Sequence, residues 1–149
     1  APFTEEFVFR ACMLPLLVPC LGFTKVIFVC PLFFGVAHVH HVIERLRFHQ
    51  ESAKEVWIQT VFQFTYTTIF GAFSAFLFLR TGHLTAPVIC HSFCNVMGFP
   101  AFSMITSYSQ PKSVIICLAF ILGLICFMFL LFPLTEPSLF CNDVYIEFF

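Results

Sequence analysis

The chain has 149 residues; 60% of them are hydrophobic, 24 are Phe, and only 10% carry a formal charge. Soluble domains hold roughly 25% charged residues, so this composition excludes an ordinary soluble globule and points to a polytopic membrane protein. A net charge of −1, with seven Lys and Arg scattered along the chain, excludes the basic footprint that nucleic-acid binding requires.

The length suits one compact domain, and about five helical segments would pack as a single all-α transmembrane bundle. The chain opens Ala1-Pro2 without an initiator Met or a basic, cleavable leader, which suggests a piece of something longer. In the first segment, Thr4 to Cys20, Thr4 is the expected N-cap, with Glu5 and Glu6 in the first turn where the macrodipole favours negative charge. Pro15 and Pro19 predict a short helix, kinked or broken near its end and packed within the bundle. Val26 to Ile43 is an apolar span ending in His38, His40 and His41. Glu44 to Glu55 is the most polar stretch and reads as a loop. Val56 to Leu79 is a span without formal charge that stops at Arg80; its amides, Gln59 and Gln63, are expected to face protein rather than lipid. Leu84 to Ile105 is apolar but interrupted by His91, Asn95, Gly98 and Pro100. Ile115 to Phe132 is the clearest span, 18 consecutive apolar residues or Gly, about 27 Å as a helix against a hydrocarbon core of about 30 Å. The tail from Glu136 to Phe149 has a mixed pattern that predicts nothing.

If the segments alternate direction, Arg45, Arg47, Lys54 and Lys112 fall on one side of the membrane, and Lys25 and Arg80 on the other. That imbalance places the 44–55 stretch in the cytosol. His91 would then enter from the opposite side to Glu5 and His38, so these groups meet only if the site is recessed toward the midplane or if the His91 helix starts deep. The eight cysteines lie mostly in apolar runs without a Cys-x-x-Cys pair, and read as small core residues rather than a disulfide framework or a zinc knuckle.

Ionisable groups inside membrane sequence cost about 2.5–3.5 kcal/mol each on insertion scales, so those present here ask for a role. Glu6 and Arg10 stand at i and i+4, the spacing of an ion pair on one helix face. Glu5 is turned about 100° away without a partner in its own helix, which suits a general base. His38 follows the small residues Gly35 and Ala37, which allow close approach of another backbone or a ligand, whereas His40 and His41 read as interfacial tips. His91 and Asn95, again at i and i+4, read equally as interhelical hydrogen-bonding groups or as two donors of an oxyanion hole. Combined, Glu5 and His38 would hold and deprotonate a water, and His91 with Asn95 would stabilise the oxyanion formed on a peptide carbonyl. No serine or cysteine nucleophile, metal or other cofactor is required.

The ordered blocks Glu5-Glu6-x-x-x-Arg10, Phe34-x-x-x-His38 and His91-x-x-x-Asn95 resemble the motifs of the type II CAAX prenyl endopeptidases, within the abortive-infection group of membrane proteins. The resemblance implies an endoplasmic reticulum enzyme that removes the last three residues from farnesylated or geranylgeranylated CAAX proteins such as Ras. It implies a glutamate-dependent intramembrane protease with Glu5, His38, His91 and Asn95 in catalysis, and Glu6, Arg10 and Phe34 in support. Family members carry transmembrane helices ahead of the first motif, which the sequence before Glu5 does not include. Two rivals use the same residues. A zinc metalloprotease would take Glu5, His38 and His91 as ligands, and a non-enzymatic scaffold or immunity-type protein would use the polar cluster as a structural network.

Overall fold

The computed structural model describes residues 1–37, 40–48, 52–105 and 107–144, and these form an all-α membrane bundle with no strand among them. Helix α1 (residues 2–21) is continuous but changes register: α-helical over Pro2–Glu6, π-helical over Phe7–Met13, and α-helical again over Leu14–Leu21. It is followed by α2 (Phe23–Ala37), α3 (His40–Phe48), α4 (Ala53–Thr81), α5 (Thr85–Met97), a single turn at Phe102–Ile105, and α6 (Lys112–Leu134). Three stretches are long and apolar enough to cross a membrane: Phe23–Arg47, which includes two residues outside the described set, Lys54–Thr81 and Lys112–Leu134.

Four expectations need correction. Thr4 does not cap α1: the helix starts at Pro2, whose fixed φ suits the first helical position, and Glu5 N–H donates to Ala1 O at 3.1 Å. Nor does α1 break at its prolines. Pro15 enters at the start of the last α-helical stretch and the helix runs past Pro19 to Gly22, while the π register lies just ahead of Pro15, whose missing N–H leaves a preceding carbonyl without its regular partner. The expected 44–55 loop is helical over Glu44 to Phe48, where α3 continues, and again from Ala53, where Ser52 Oγ accepts from Glu55 N–H at 3.3 Å as the N-cap of α4. The 84–105 segment ends as a long helix at Gly98, whose φ of +69° terminates α5.

The tail is also more informative than its pattern suggests. Asn142 Nδ2 donates to Leu79 O and Arg80 O at 2.8 and 3.0 Å, satisfying carbonyls at the end of α4 that would otherwise lack partners. Arg80, only 5% exposed, donates to Phe132 O and Thr135 O and pairs with Glu136 at 3.1 Å. It therefore ties α4 to the end of α6 instead of simply stopping a span.

α4 organises the bundle. A core of Leu14, Phe23, Val26, Cys30, Ala75, Phe78 and Leu79 joins α1, α2 and α4. α2 runs antiparallel to α4, with Gly35 opposite Thr68 and Phe64, and Gly71 opposite Pro31. α6 runs in the same direction as α4, with Phe73 against Phe127 and Phe76 against Phe132 at 5.6 Å between ring centroids. This alternation brings Lys25 and Arg80 toward one end and Arg45, Lys54 and Lys112 toward the other.

A Cβ on Gly35 would lie 2.6 Å from Thr68 Oγ1 and 2.9 Å from the Phe64 ring, whereas one on Gly123 would meet nothing within 4 Å. Gly35→Ala should therefore separate α2 from α4 and cost about 1–3 kcal/mol, with Gly123→Ala causing no loss. Thermal unfolding of both variants in a membrane mimetic checks this; equal midpoints would refute the close approach.

Candidate active site

α1 presents Glu6 and Arg10 toward α4, and both are fully buried, at 0% and 1% exposure. Arg10 Nε lies 3.0 Å from Glu6 Oε2, the ion pair expected from their spacing. Such a pair in an apolar interior needs further partners for what remains of both charges; Glu6 finds them on both oxygens, while Arg10 Nη1 makes no hydrogen bond among the described residues. Ser74 Oγ of α4 donates to Glu6 Oε2 at 2.6 Å, and Arg10 Nη2 donates to Gly71 O at 3.2 Å. The guanidinium also sits over the Phe34 ring, 4.7 Å from its centroid, where a cation–π contact offsets part of its desolvation. A Cβ at Gly71 would come within 3.3 Å of Arg10 Nη2, so glycine there allows the guanidinium to reach the α4 backbone.

The same carboxylate fixes His91. Glu6 Oε1 lies 2.7 Å from His91 Nδ1, across 85 residues of sequence. The imidazole is 7% exposed and packs against Phe34 and Phe70, with ring centroids 6.2 and 5.1 Å away in edge-on geometry. With Glu6 ionised and paired to Arg10, the proton on Nδ1 is donated to Glu6, and Nε2 is left to face the other acid. His91 Nε2 is 3.8 Å from Glu5 Oε2. The two adjacent glutamates are thus divided: Glu6 is consumed by structure, while Glu5, partly exposed, borders open space. An Nε2 donor for an oxyanion would require the doubly protonated ring, because Nδ1 is committed to Glu6.

That open space is a cavity of about 250 Å³. Glu5, Phe34, His91 and Asn95 line it, so the fold brings together members of all three sequence motifs, and Cys94 lies beside them. α4 supplies the opposite wall with Gln63, Tyr66, Thr67 and Phe70. Gln63 accordingly faces protein as its amide suggested, and Gln59, one turn away, accepts from Arg45 Nη1 of α3. Phe70 stands eleven residues from the Thr81 end of α4, so the cavity is recessed about 16 Å from that end, which is how Glu5 and His91 meet from helices of opposite direction. His38 lies outside the described residues. Glu5 and His91 are two of the three ligands a zinc enzyme would use, and no group of three His, Cys, Asp or Glu suited to a metal occurs among the described residues.

Residue-type reasoning missed Ser74, Thr67, Phe70 and Gly71. Ser74 and Thr67 carried a faint signal as hydroxyls in an apolar span; Phe70 and Gly71 carried none.

Glu6→Gln should strand Arg10 as a buried, uncompensated cation and cost about 3–5 kcal/mol, whereas Glu5→Gln at the cavity edge should change stability by less than about 1 kcal/mol. Thermal unfolding of both variants in the full-length protein checks the division; equal losses would contradict it.

The type II CAAX prenyl endopeptidase Rce1-like family profile matches residues 1–97. The chain is 56% identical over 140 residues to "CAAX prenyl protease 2" of Homo sapiens, covering 94% of this chain and 42% of that protein. It is 46% identical over 140 residues to the protein of the same name from Rattus norvegicus, covering 94% and 38%, and 46% identical over 145 residues to that of Arabidopsis thaliana, covering 96% and 44%. It thus spans about two fifths of the length of these curated relatives. No solved structure matches it significantly. With a family profile over most of its length and relatives this similar, the chain belongs to the type II CAAX prenyl endopeptidase Rce1-like family.

Proposed function

We propose that the chain, read as one membrane-embedded catalytic domain over residues 1–149, forms the reaction centre of an intramembrane endopeptidase. The enzyme removes the C-terminal -AAX tripeptide from isoprenylated CAAX proteins, Ras-type small GTPases among them, at the endoplasmic reticulum membrane. The observation that carries this is the approach of Glu5 to His91 in a recessed cavity that Asn95 also lines, in a chain whose curated relatives are named CAAX prenyl proteases. The basic end formed by Arg45, Arg47, Lys54 and Lys112 favours a cytosolic orientation for that end under the positive-inside rule, and the cavity wall runs along α4 from Phe70 toward it.

In this scheme Glu5, with His38, takes a proton from water as its oxygen attacks the carbonyl carbon of the scissile amide. The carbonyl oxygen becomes an oxyanion, stabilised by the Asn95 amide and by protonated His91. Collapse re-forms the carbonyl and breaks the C–N bond, and the proton held on Glu5 or His38 passes to the leaving amine. Glu6, Arg10 and Phe34 hold His91 in register. A prenyl chain approaches through the apolar helix surfaces, among which Phe is abundant.

The test is tripeptide release from a farnesylated CAAX peptide by the full-length protein in membranes. Glu5→Gln should lower kcat by at least about 10²-fold without loss of the folded protein, and Asn95→Ala by about 10²–10³-fold. A well-folded wild type without activity, or a Glu5→Gln variant with normal turnover, would overturn the assignment and favour a scaffold.

A further inference from the structure

The catalytic cavity is not the end of the open space along α4. A second cavity of about 390 Å³ lies one turn closer to the basic end, and Gln63 lines both. Ile58 and Phe62, each more than half exposed, give this second space apolar walls. Gln59, exposed, and Arg45, partly exposed and brought from α3, complete its lining, with Arg45 Nη1 donating to Gln59 Oε1. In order along α4 from Glu5 and His91 there follow an amide, two apolar side chains and a guanidinium that donates to a second amide.

Resting on the endopeptidase reading above, we propose that Arg45 binds the free α-carboxylate of the substrate, with Gln59 as its positioning residue, and that this contact sets how many residues are released. Three features support it. First, a guanidinium is the side chain best matched to a carboxylate, which it engages by two parallel N–H···O bonds. Second, the spacing fits. The α4 residues of the catalytic cavity, Gln63 to Phe70, stand four to eleven residues beyond Gln59, about 6–16 Å along the helix. Three extended residues span at most about 10–11 Å, which falls within that range, so a carbonyl in the catalytic cavity can leave the chain terminus within reach of Arg45. Third, the intervening chemistry suits a short aliphatic peptide: Ile58 and Phe62 can pack its side chains, and the Gln63 amide offers both a donor and an acceptor to its backbone.

The experiment compares three farnesylated peptides on the full-length protein in membranes: a free C-terminal acid, the matching carboxamide, and an acid extended by one residue. The wild type should cleave the acid with a KM about tenfold or more below that of either other peptide. Arg45→Gln should raise KM for the acid by about 10–100-fold, leave kcat within about threefold, and leave KM for the carboxamide unchanged, while Arg45→Lys should restore part of the preference. Equal KM for acid and carboxamide in the wild type would overturn the proposal. So would an Arg45→Gln defect of the same size on both peptides, the pattern expected if Arg45 serves only the fold or a lipid headgroup. Failure of the wild type to cleave any of the three would instead reject the endopeptidase reading itself, and the carboxylate site with it.

Discussion

Everything about this site depends on burying Glu6 with Arg10 inside an apolar bundle. A buried ion pair by itself is close to neutral or unfavourable for stability, and here it is retained within a wider set of partners. Glu6 meets Arg10, Ser74 and His91, and Arg10 meets a backbone carbonyl and an aromatic face as well. The partners come from four helices, so the network locks α1, α2, α4 and α5 together at one level. Removing Glu6 or Arg10 leaves the other as a buried charge without its main compensation.

The chemistry follows from this division of labour. Because Glu6 holds the His91 ring by Nδ1, and Phe34 and Phe70 prevent it from turning, Nε2 faces Glu5 at the cavity. Two neighbouring residues of identical chemistry thus have opposite fates, one buried in the network and one bordering the cavity. The small residues of α2 and α4 make this possible. Gly35 and Gly71 let the helices and the Arg10 guanidinium approach to distances that a methyl group would forbid.

Local relations were legible from the residues themselves. The Glu6–Arg10 pair, the turn of Glu5 away from that pair and the shared face of His91 and Asn95 all follow from helical spacing, and the apolar spans follow from composition. What was hidden is long-range. Ser74 and His91 reach Glu6 across 68 and 85 residues, and nothing in their own neighbourhoods marks them as its partners. Asn142 caps α4 from a tail without periodicity, because a side chain donating to backbone carbonyls leaves no hydrophobic pattern. Thr4 misled because cap propensity is a weak prior beside a proline already placed at the first helical position. The polar 44–55 stretch misled because polarity marks exposure, and an exposed helix such as α3 remains a helix.

The most direct measurement of the central claim is the protonation of the His91 ring nitrogens, read by ¹⁵N NMR in the full-length protein with selectively labelled histidine, for wild type and Glu6→Gln. The account predicts a protonated Nδ1 near neutral pH in wild type, with a changed Nδ1 environment once Glu6 is neutral. A wild-type ring carrying its only proton on Nε2, or one insensitive to Glu6→Gln, would contradict it.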